Sequence, residues 1–293
     1  MSLTTLDFDY VRGIVRQHSA IALDDSKAYL VATRLVALAQ REGVTTVSEL
    51  VARLRADRGE ELRRKVVEAM TTNETSFFRD FLPFEILHRV LIPELIQRRA
   101  RQRSLNIWSA ACSTGQEPYS LAMLLRDHFP ELHSWQTRIL ASDLSTDVLA
   151  RARMGRFTQL EINRGVPVHL LVRYFKRQGL YWHVIDEIIR MIDFQLINLI
   201  GSWPSMVPMD IILLRNVLIY FDAESKSQVL NRIARLLAPD GYLILGGSET
   251  TFFNNDLFER VELERSAVYR LKVPSPYAGP HLRNWGSPND RTR

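Results

Sequence analysis

The chain has 293 residues, of which 46% are hydrophobic and 24% charged, a balance typical of a globular protein large enough for two domains. Its net charge of +5 and sequence pI near 9.5 permit an acidic partner, but its basic residues are less clustered than in a dedicated nucleic-acid binder. The single cysteine, Cys112, excludes an internal disulfide and a cysteine-rich zinc site. Because the N-terminus lacks a signal-peptide pattern and no apolar run approaches roughly 20 residues, the sequence predicts a cytoplasmic protein.

The region from Phe8 to about Thr71 has apolar residues three and four positions apart, which predicts a small all-helical domain of about four helices. Its second half carries a basic cluster that comprises Arg53, Arg55, Arg58, Arg63, Arg64 and Lys65. This cluster is either an ordinary solvated face or a docking face for an acidic partner helix, where charge would govern encounter more than affinity. The sequence leaves both interpretations open.

The segment TTNETSFFR at 71–79 joins the helical region to the rest of the chain and has no clear helical or strand period. It places Asn73, Thr75 and Arg79 close together at a junction between domains, where ligands often bind. The alternative is a linker whose two phenylalanines hold it against the core. A second helical stretch begins after Pro83, is interrupted at Pro93 and ends in a basic tract at 98–103, which we expect to be a solvated helix end.

The segment at 105–121, LNIWSAACSTGQEPYSL, predicts a buried strand, a loop of small residues and a helix that Pro118 opens. In an open α/β sheet, ligands collect outside the carboxyl ends of the strands, and small side chains there let a cofactor approach the backbone. An ordinary strand-to-helix turn of a doubly wound domain would have a similar sequence.

A second strand, predicted at 138–143, ends in Asp143, and Ser145 is suited to cap the helix that follows. An ionised carboxylate in this position can accept two hydrogen bonds from the vicinal hydroxyls of a ribose. Asp143 is therefore a candidate ribose ligand. The alternative is an acidic residue that only favours the dipole of the next helix.

Residues 154–190 break the alternation of strands and helices and predict a small inserted subdomain of short strands. Apolar strands return at 194–199 and 209–218, and Arg215 and Asn216 interrupt the second of them. Buried polar groups need partners, and a bound ligand would supply them. The sequence then predicts a helix at 223–237, a turn at 239–241, a strand at 242–247, a closing edge strand at 261–273 and a disordered tail from Pro274 onward.

Five segments resemble, in order, those of the chemotaxis receptor methyltransferases, the CheR family. They are NETSFFR at 73–79, WSAACSTGQEPYSLAM at 108–123, ASDLSTDVLARARMGRF at 141–157, LRNVLIYFD at 214–222 and GYLILGGSE at 241–249. The resemblance spans roughly residues 8–272. It implies an α/β protein with a small all-helical N-terminal domain, followed by a Rossmann-like S-adenosylmethionine (SAM) methyltransferase domain with an inserted small β subdomain.

On this basis we divide the chain into four parts. These are a receptor-docking domain at 1–72, a linker and helix at 73–103 that contribute to the cofactor site, a methyltransferase domain at 104–273 with the insert at 154–190, and a disordered tail at 274–293.

The resemblance also implies a set of cofactor contacts. They are Asn73, Thr75, Arg79, Glu117, Asp143, Asn198, Leu199, Asn216 and Val217, to which we add the neighbouring Arg215. Arg79 and Tyr220 would lie beside the reactive methyl group, and no metal is expected. Two features depart from the family: Gln116 stands where members often have the first of two glutamates, and Gly115 is alone in a loop that is richer in glycine in other SAM enzymes.

The implied reaction is transfer of the SAM methyl group to glutamate side chains in the cytoplasmic methylation helices of chemoreceptors, with S-adenosylhomocysteine as the second product. A glutamate has an ordinary pKa near 4.3 and is already ionised at neutral pH, so the reaction needs no general base. We expect Arg79 to position this carboxylate and Tyr220 to pack or hydrogen-bond near the methyl group. Cys112, Trp108 and Tyr119 are expected to serve packing.

The expected partner is the receptor, with no nucleic acid, no membrane insertion and a monomeric enzyme. The connection at 176–179 is shorter than the glycine-containing loop of family members that bind a receptor's C-terminal pentapeptide, which predicts pentapeptide independence. Two other functions stay open: a SAM-binding regulatory module without turnover, and a nucleic-acid methyltransferase. The second is disfavoured because RNVLIYF replaces the Asn/Asp-Pro-Pro-Tyr type of segment that such enzymes carry.

Overall fold

The computed structural model describes residues 3–56, 59–251, 256–263 and 266–272. The N-terminal part of this range forms the predicted helical domain from α1 (Thr5–Ser19), α2 (Ala28–Arg41), α3 (Val47–Ala56) and α4 (Glu60–Ala69). Each helix contributes a fully buried residue to one separate core, namely Val11, Leu35, Leu50 and Val66. The periodicity of the sequence therefore identifies the faces that pack together.

The basic cluster of this domain is paired with carboxylates of the same chain. The ion pairs of its described members are Arg53–Glu49, Arg55–Asp7, Arg63–Glu60, Arg64–Glu68 and Lys65–Glu42. Arg58 lies outside the described residues. Because the positive charge is compensated within the domain, these contacts favour the interpretation as a solvated face.

A continuous helical segment leads from the linker to the sheet. It consists of α5 (Leu82–Ile86), a π-helical turn (Leu87–Leu91) and α6 (Ile92–Arg99). Pro93 has no N–H to donate to the preceding turn, and the π-helical turn before it accommodates this gap in the hydrogen-bond ladder. The interruption predicted at Pro93 is therefore a local widening of the helix.

The basic tract at the end of α6 differs from the prediction at Arg99. The side chain of Arg99 is only 12% exposed and lies between two aspartates, with its Nε 2.8 Å from Asp210 Oδ1 and its Nη1 2.9 Å from Asp240 Oδ2. Asp210 also accepts a hydrogen bond from the backbone N–H of Asn106. The expectation of a solvated helix end is thus wrong for Arg99, because two aspartates distant in the sequence pack against it.

We expect Arg99→Met to lower the free energy of unfolding by about 3 kcal/mol at neutral pH, since it leaves the buried Asp210 carboxylate without its cation. Arg99 also holds the pKa of Asp240 below its ordinary value through their hydrogen bond. A lowered pKa gives stability that is present above the unfolded-state pKa of 3.8 and is lost as pH falls through the folded-state value. The difference between variant and wild type should therefore shrink when urea unfolding is repeated near pH 3.

Arg101, which is exposed in the same tract, provides the control. Arg101→Met should change the free energy of unfolding by less than about 0.5 kcal/mol. Equal unfolding midpoints for Arg99→Met and wild type at neutral pH would contradict the role given to this ion-pair cluster.

The remainder of the described chain contains ten strands, six further α-helices and two short 3₁₀ helices, at Pro130–Ser134 and Leu218–Tyr220. The strands are β1 (Ser104–Ala110), β2 (Gln136–Asp143), β3 (Arg156–Thr158), β4 (Phe175–Gln178), β5 (Tyr181–Val184), β6 (Ile192–Leu196), β7 (Met209–Leu214), β8 (Leu237–Leu245), β9 (Phe258–Leu263) and β10 (Ser266–Leu271). The helices are α7 (Gln116–His128), α8 (Thr146–Met154), α9 (Gln159–Asn163), α10 (Val168–Tyr174), α11 (Asp186–Ile189) and α12 (Ala223–Leu236).

The main sheet has the strand order β6-β2-β1-β7-β8-β10-β9. The pairs from β6 to β8 are parallel, and β10 and β9 are added in antiparallel orientation. The chain moves outward from β1 through β2 to β6 on one side, and then returns to β7 on the other side. The strand order therefore reverses at β1 and β7, and open α/β sheets bind ligands at such a switch point.

Both faces of the sheet are covered. Ile211 and Leu213 of β7 point into a core shared with α6 and α7, whereas Ile212 and Leu214 point into a second core shared with α12. This alternation is the period of two expected of a strand, and the unbroken apolar run from Ile211 to Leu214 indicates a strand buried on both faces. The predicted α/β fold class is confirmed.

Several predicted element boundaries shift. The first return strand ends at Leu196 rather than 199, and the second ends at Leu214 rather than 218, so the residues that follow each strand leave the sheet. The residues 239–241, predicted as a turn, lie within β8, where the register with β7 shifts between Met209 and Ile211. The single closing strand is instead the antiparallel pair of β9 and β10. The predicted disordered tail lies outside the described residues.

The insert at 154–190 forms its own antiparallel sheet, in the order β3-β5-β4, which confirms the predicted β subdomain. Gln178 pairs with Tyr181, so a two-residue turn, Gly179 and Leu180, connects β4 to β5. The connection is thus even shorter than the predicted one, because Lys176 and Arg177 already belong to β4. In the part of the chain that the structure describes, no helix combines the length and apolarity needed to cross a bilayer.

Candidate active site

A cleft opens at the carboxyl ends of the central parallel strands. Its walls come from the linker, from the loops after β1, β2, β6 and β7, and from Ser19 and Ile21 at the end of α1. The residues predicted from the sequence all line it, namely Asn73, Thr75, Arg79, Glu117, Asp143, Asn198, Leu199, Arg215, Asn216, Val217 and Tyr220. The fold therefore brings the whole set together, while the role of each residue stays a prediction.

The loop between β1 and α7 turns sharply along one wall of the cleft. Ala111, Ser113 and Gly115 have φ angles of 57°, 51° and 94°, in the left-handed region. A Cβ atom at Gly115 would stand 3.0 Å from the Ala152 side chain and 3.1 Å from the Tyr119 ring. One glycine is thus required where α7 packs closely against α8, and residues with small side chains form the rest of the loop.

Asp143 ends β2 and fixes this loop from the opposite wall. Its Oδ2 accepts a hydrogen bond from the Ser113 N–H at 2.9 Å, and its Oδ1 accepts one from the Ser145 N–H at 3.0 Å. Burial raises the pKa of the carboxyl group, and the backbone N–H groups oppose this shift. A carboxylate oxygen can accept two hydrogen bonds, so both oxygens keep capacity for a ligand with two neighbouring hydroxyls.

The packing roles predicted for three residues agree with the structure. Trp108 and Tyr119 are fully buried, and the Tyr119 hydroxyl donates to the carbonyl of Ala152 at 2.7 Å. Cys112 is also buried, and burial, followed by the nearby Asp143 and Glu117, raises the pKa of its thiol well above its ordinary value. The thiol is therefore protonated at neutral pH and is not an activated nucleophile.

Arg215 lies at the centre of a buried polar network, with only 2% of its side chain exposed. Its Nη1 donates to Glu117 Oε2 at 2.8 Å, and its Nη2 donates to Asp80 Oδ2 and to the carbonyl of Arg79, both at 2.8 Å. Glu117 is held in addition by the Ser109 hydroxyl at 2.8 Å. Within the described residues, the N–H at Arg215 Nε is buried and has no hydrogen-bond acceptor.

The linker that Arg215 holds has an unusual backbone. Phe78, Asp80 and Phe81 have φ angles of 47°, 65° and 46°, which costs free energy for residues with a Cβ atom. The Phe78 N–H donates to the Ser120 hydroxyl at 2.9 Å, and Arg79 Nη1 donates to the carbonyl of Glu74 at 3.0 Å. Several contacts from distant parts of the chain thus hold Arg79 at the edge of the cleft.

The inserted subdomain packs against the same linker. Phe77 is buried and makes edge-to-face contacts with Phe157 and Phe175, at centroid distances of 4.9 and 5.7 Å. Gly165 approaches so closely that a Cβ atom there would stand 2.1 Å from the carbonyl oxygen of Phe77. Both interpretations of the linker therefore apply, since its aromatic residues are anchored while its polar residues face the cleft.

Asn198 and Leu199 line the cleft after β6. The side chain of Asn198 donates to the carbonyl of His18 at 2.6 Å and accepts from the N–H of Ile200 at 3.2 Å. Trp203 donates from its indole N–H to the carbonyls of both residues, at 3.2 Å each. Trp203 is not among the predicted residues, because it fixes this loop through backbone carbonyls, which leave no local motif in the sequence.

The helical domain forms one wall of the cleft. The Ala22 N–H donates to the carbonyl of Tyr220 at 2.9 Å, and Ile21 forms an isolated β-bridge with Phe221. On the opposite side, the buried Glu68 of α4 accepts from the Thr146 N–H at 3.2 Å, at the start of α8. These contacts were missed from the sequence, and they make the helical domain a wall of the site.

Together, the doubly wound sheet, the switch-point cleft and the buried carboxylate after β2 are typical of α/β proteins that bind a nucleoside cofactor. The comparisons with known proteins give the family. Residues 73–267 match the SAM-binding domain of CheR methyltransferases, and residues 6–71 match the all-alpha domain of CheR methyltransferases. The chain belongs to the CheR methyltransferase family, and it is a SAM-dependent methyltransferase.

The relatives agree with this assignment over most of their length. Chemotaxis protein methyltransferase 1 of Pseudomonas aeruginosa is 42% identical over 277 residues, which cover 93% of this chain and 100% of that protein. Chemotaxis protein methyltransferase Cher2 of Pseudomonas putida is 41% identical with the same coverage. The chemotaxis protein methyltransferase of Escherichia coli is 33% identical over 277 residues, with 92% of each chain covered. The chain is therefore similar to these enzymes in both of its domains.

Proposed function

We propose that the enzyme methylates glutamate side chains in the cytoplasmic methylation helices of membrane chemoreceptors, forming glutamate methyl esters in chemotaxis adaptation. The observation that carries this proposal is the convergence of Asp143, Arg79 and Tyr220 on one cleft from three separate parts of the chain. The kinship with chemotaxis protein methyltransferases supports the choice of a receptor as substrate.

The cleft suits SAM as its ligand. When bound, SAM supplies an activated methyl group on a positively charged sulfur. Asp143 would hold the ribose through its remaining acceptor capacity, and the small residues Ala111 and Ser113 leave the backbone accessible. Glu117 also lines the cleft, with its carboxylate held by Arg215 and by the Ser109 hydroxyl.

The acceptor glutamate enters already ionised, so the protein's task is to orient it. Arg79 is suited to this task because its guanidinium is partly exposed and contacts the neutral carbonyl of Glu74 rather than a carboxylate. It therefore keeps charge to attract an incoming carboxylate. Tyr220 lines the same cleft and would pack or hydrogen-bond beside the methyl group.

Transfer of radiolabelled methyl from SAM to receptor-containing membranes, followed by mild alkali, tests this proposal. We expect label on the receptor that alkali releases as volatile methanol, and no such label on a receptor whose methylation-helix glutamates are replaced by alanine. Alkali-stable label would contradict glutamate esterification. Label on nucleic acid, or tight SAM binding without any label, would favour the nucleic-acid methyltransferase or the regulatory module.

We further propose that the enzyme does not depend on a receptor's C-terminal pentapeptide. The two-residue turn between β4 and β5 supports this, since it leaves no extended loop beside the small sheet. Calorimetry with a receptor-tail pentapeptide should give no saturable binding in the micromolar range, and removal of the tail should leave the methylation rate unchanged. A micromolar dissociation constant would contradict pentapeptide independence.

We also propose that the enzyme acts as a cytoplasmic monomer, with residues 1–72 as the receptor-docking domain. What supports docking there is position: Ser19 and Ile21 border the cleft, so this domain lies beside any acceptor that enters. Because the basic cluster is compensated within the domain, charge alone does not account for docking.

A further inference from the structure

The carboxylate of Glu249 accepts hydrogen bonds from four backbone N–H groups. Its Oε2 accepts from Asn216 at 2.7 Å and from Gly246 at 2.8 Å, and its Oε1 accepts from Val217 at 2.9 Å and from Ile219 at 3.2 Å. Hydrogen bonds from N–H groups to an ionised carboxylate are about twice as strong as neutral ones. One side chain thus satisfies four main-chain donors.

Three of these donors belong to the loop 216–219, which connects β7 to Tyr220. Asn216 and Val217 line the cleft, and the N–H of Ile219 immediately precedes Tyr220. Asn216 has a φ angle of 57°, so the chain leaves the strand in a left-handed turn. Without an acceptor these N–H groups would lose their partners, and the turn would lose what holds it in this conformation.

The local sequence GGSE at 246–249 is suited to place this carboxylate. The Glu249 N–H donates to the carbonyl of Gly246 at 2.9 Å, which turns the chain back toward β8. A Cβ atom at Gly246 would stand 2.7 Å from Glu249 Oε2 and 2.9 Å from the Asn216 nitrogen. Gly246 is therefore glycine because the carboxylate and the loop occupy the space of a side chain.

We propose that Glu249 is a positioning residue, which holds the loop 216–219 in the conformation that binds SAM and presents Tyr220. The inference rests on the proposed function only in giving Asn216, Val217 and Tyr220 their roles. It explains why a carboxylate, rather than an amide, occupies position 249, since all four donors require an acceptor and an amide group would direct its own N–H donors at part of them.

The test is Glu249→Gln, in which one oxygen becomes an NH2 group that faces backbone donors. We expect the dissociation constant of S-adenosylhomocysteine in calorimetry to rise roughly tenfold or more, equivalent to about 1.4 kcal/mol, and the KM for SAM to rise in parallel. Hydrogen exchange should accelerate in the peptide that contains 214–221 more than elsewhere. A merely structural role would lower Tm but leave the dissociation constant unchanged well below Tm.

Glu259→Gln provides the matched control, because the exposed Glu259 lies on β9 and pairs with Arg270. Its affinity for S-adenosylhomocysteine should equal that of wild type. Gly246→Ala disturbs the same contacts in a second way, since it keeps the Glu249 carboxylate but displaces it. If both substitutions act through these contacts, the double variant should lose less affinity than the sum of the two single losses.

Three outcomes would overturn the inference: Glu249→Gln with affinity within twofold of wild type, additive losses in the double variant, or a failure of both single variants to fold, which would indicate a purely structural role. Because calorimetry needs no receptor, a wild-type enzyme that binds the cofactor but esterifies no glutamate would refute the proposed substrate and leave this inference intact.

Discussion

Arg215→Met is expected to lower kcat/KM by roughly a hundredfold or more, since a displacement of about 1 Å at a reacting group can cost that much. It should also lower the free energy of unfolding by about 3–5 kcal/mol, the usual result of removing one partner from a buried ion pair. The reason is the position of Arg215, whose two Nη atoms join Glu117 on α7 to Asp80 and the Arg79 carbonyl in the linker. Methionine fills a similar volume but supplies none of these donors.

Urea unfolding and steady-state methylation together separate the two effects. Arg215→Lys keeps the charge but not the planar fork, so it should recover part of the stability and little of the activity. Arg89→Met is the control, because it removes an exposed partner of Glu85 and should cost less than about 1 kcal/mol. Wild-type activity in Arg215→Met would show that the contacts of Arg215 are not needed to hold the linker in its active conformation.

The parts of the site that the sequence predicts correctly depend on local rules. Asp143 follows an apolar run and precedes a helix cap, so its place at a strand's carboxyl end follows from the pattern alone. The same holds for the small residues 111–115 after β1. Arg215 and Asn216 stand out because these polar residues interrupt an apolar run, although the structure shows that Arg215 contacts Asp80 and Glu117 within the chain as well as lining the cleft.

The parts that the sequence does not predict depend on long-range packing. Arg99 has the sequence context of a solvated helix end, and only the return of β7 and β8 brings Asp210 and Asp240 beside it. Glu249 accepts hydrogen bonds from backbone N–H groups more than thirty positions away. Because every residue except proline has such a group, the residue types in the sequence do not reveal these donors. The residues 239–241 have the sequence of a turn, but they lie within β8. There they produce a register shift in the pairing with β7, and this long-range pairing is not visible in the local sequence.

Arg79→Ala should lower kcat by roughly a hundredfold, because the acceptor carboxylate loses the cation that orients it, and orientation supplies much of the catalysis in this reaction. As Arg79 is also a predicted cofactor contact, the dissociation constant of S-adenosylhomocysteine should rise, but by less than the loss in kcat. Arg79→Lys should retain part of kcat, since it keeps a cation but not the bidentate geometry. Single-turnover methylation and calorimetry measure the two quantities separately.

Arg164→Ala is the matched control for Arg79→Ala, because Arg164 pairs with the carboxylate of the same Glu74 whose carbonyl Arg79 contacts. It removes an equal charge from the same neighbourhood but not from the cleft, so kcat should stay within about twofold of wild type, as for other exposed pairs. Equal losses of kcat in the two variants would show that the effect comes from removing a positive charge near the cleft and not from a specific contact of Arg79. Full turnover with unchanged cofactor affinity in Arg79→Ala would remove Arg79 from the catalytic site, and Tyr220 would then be the remaining candidate beside the methyl group.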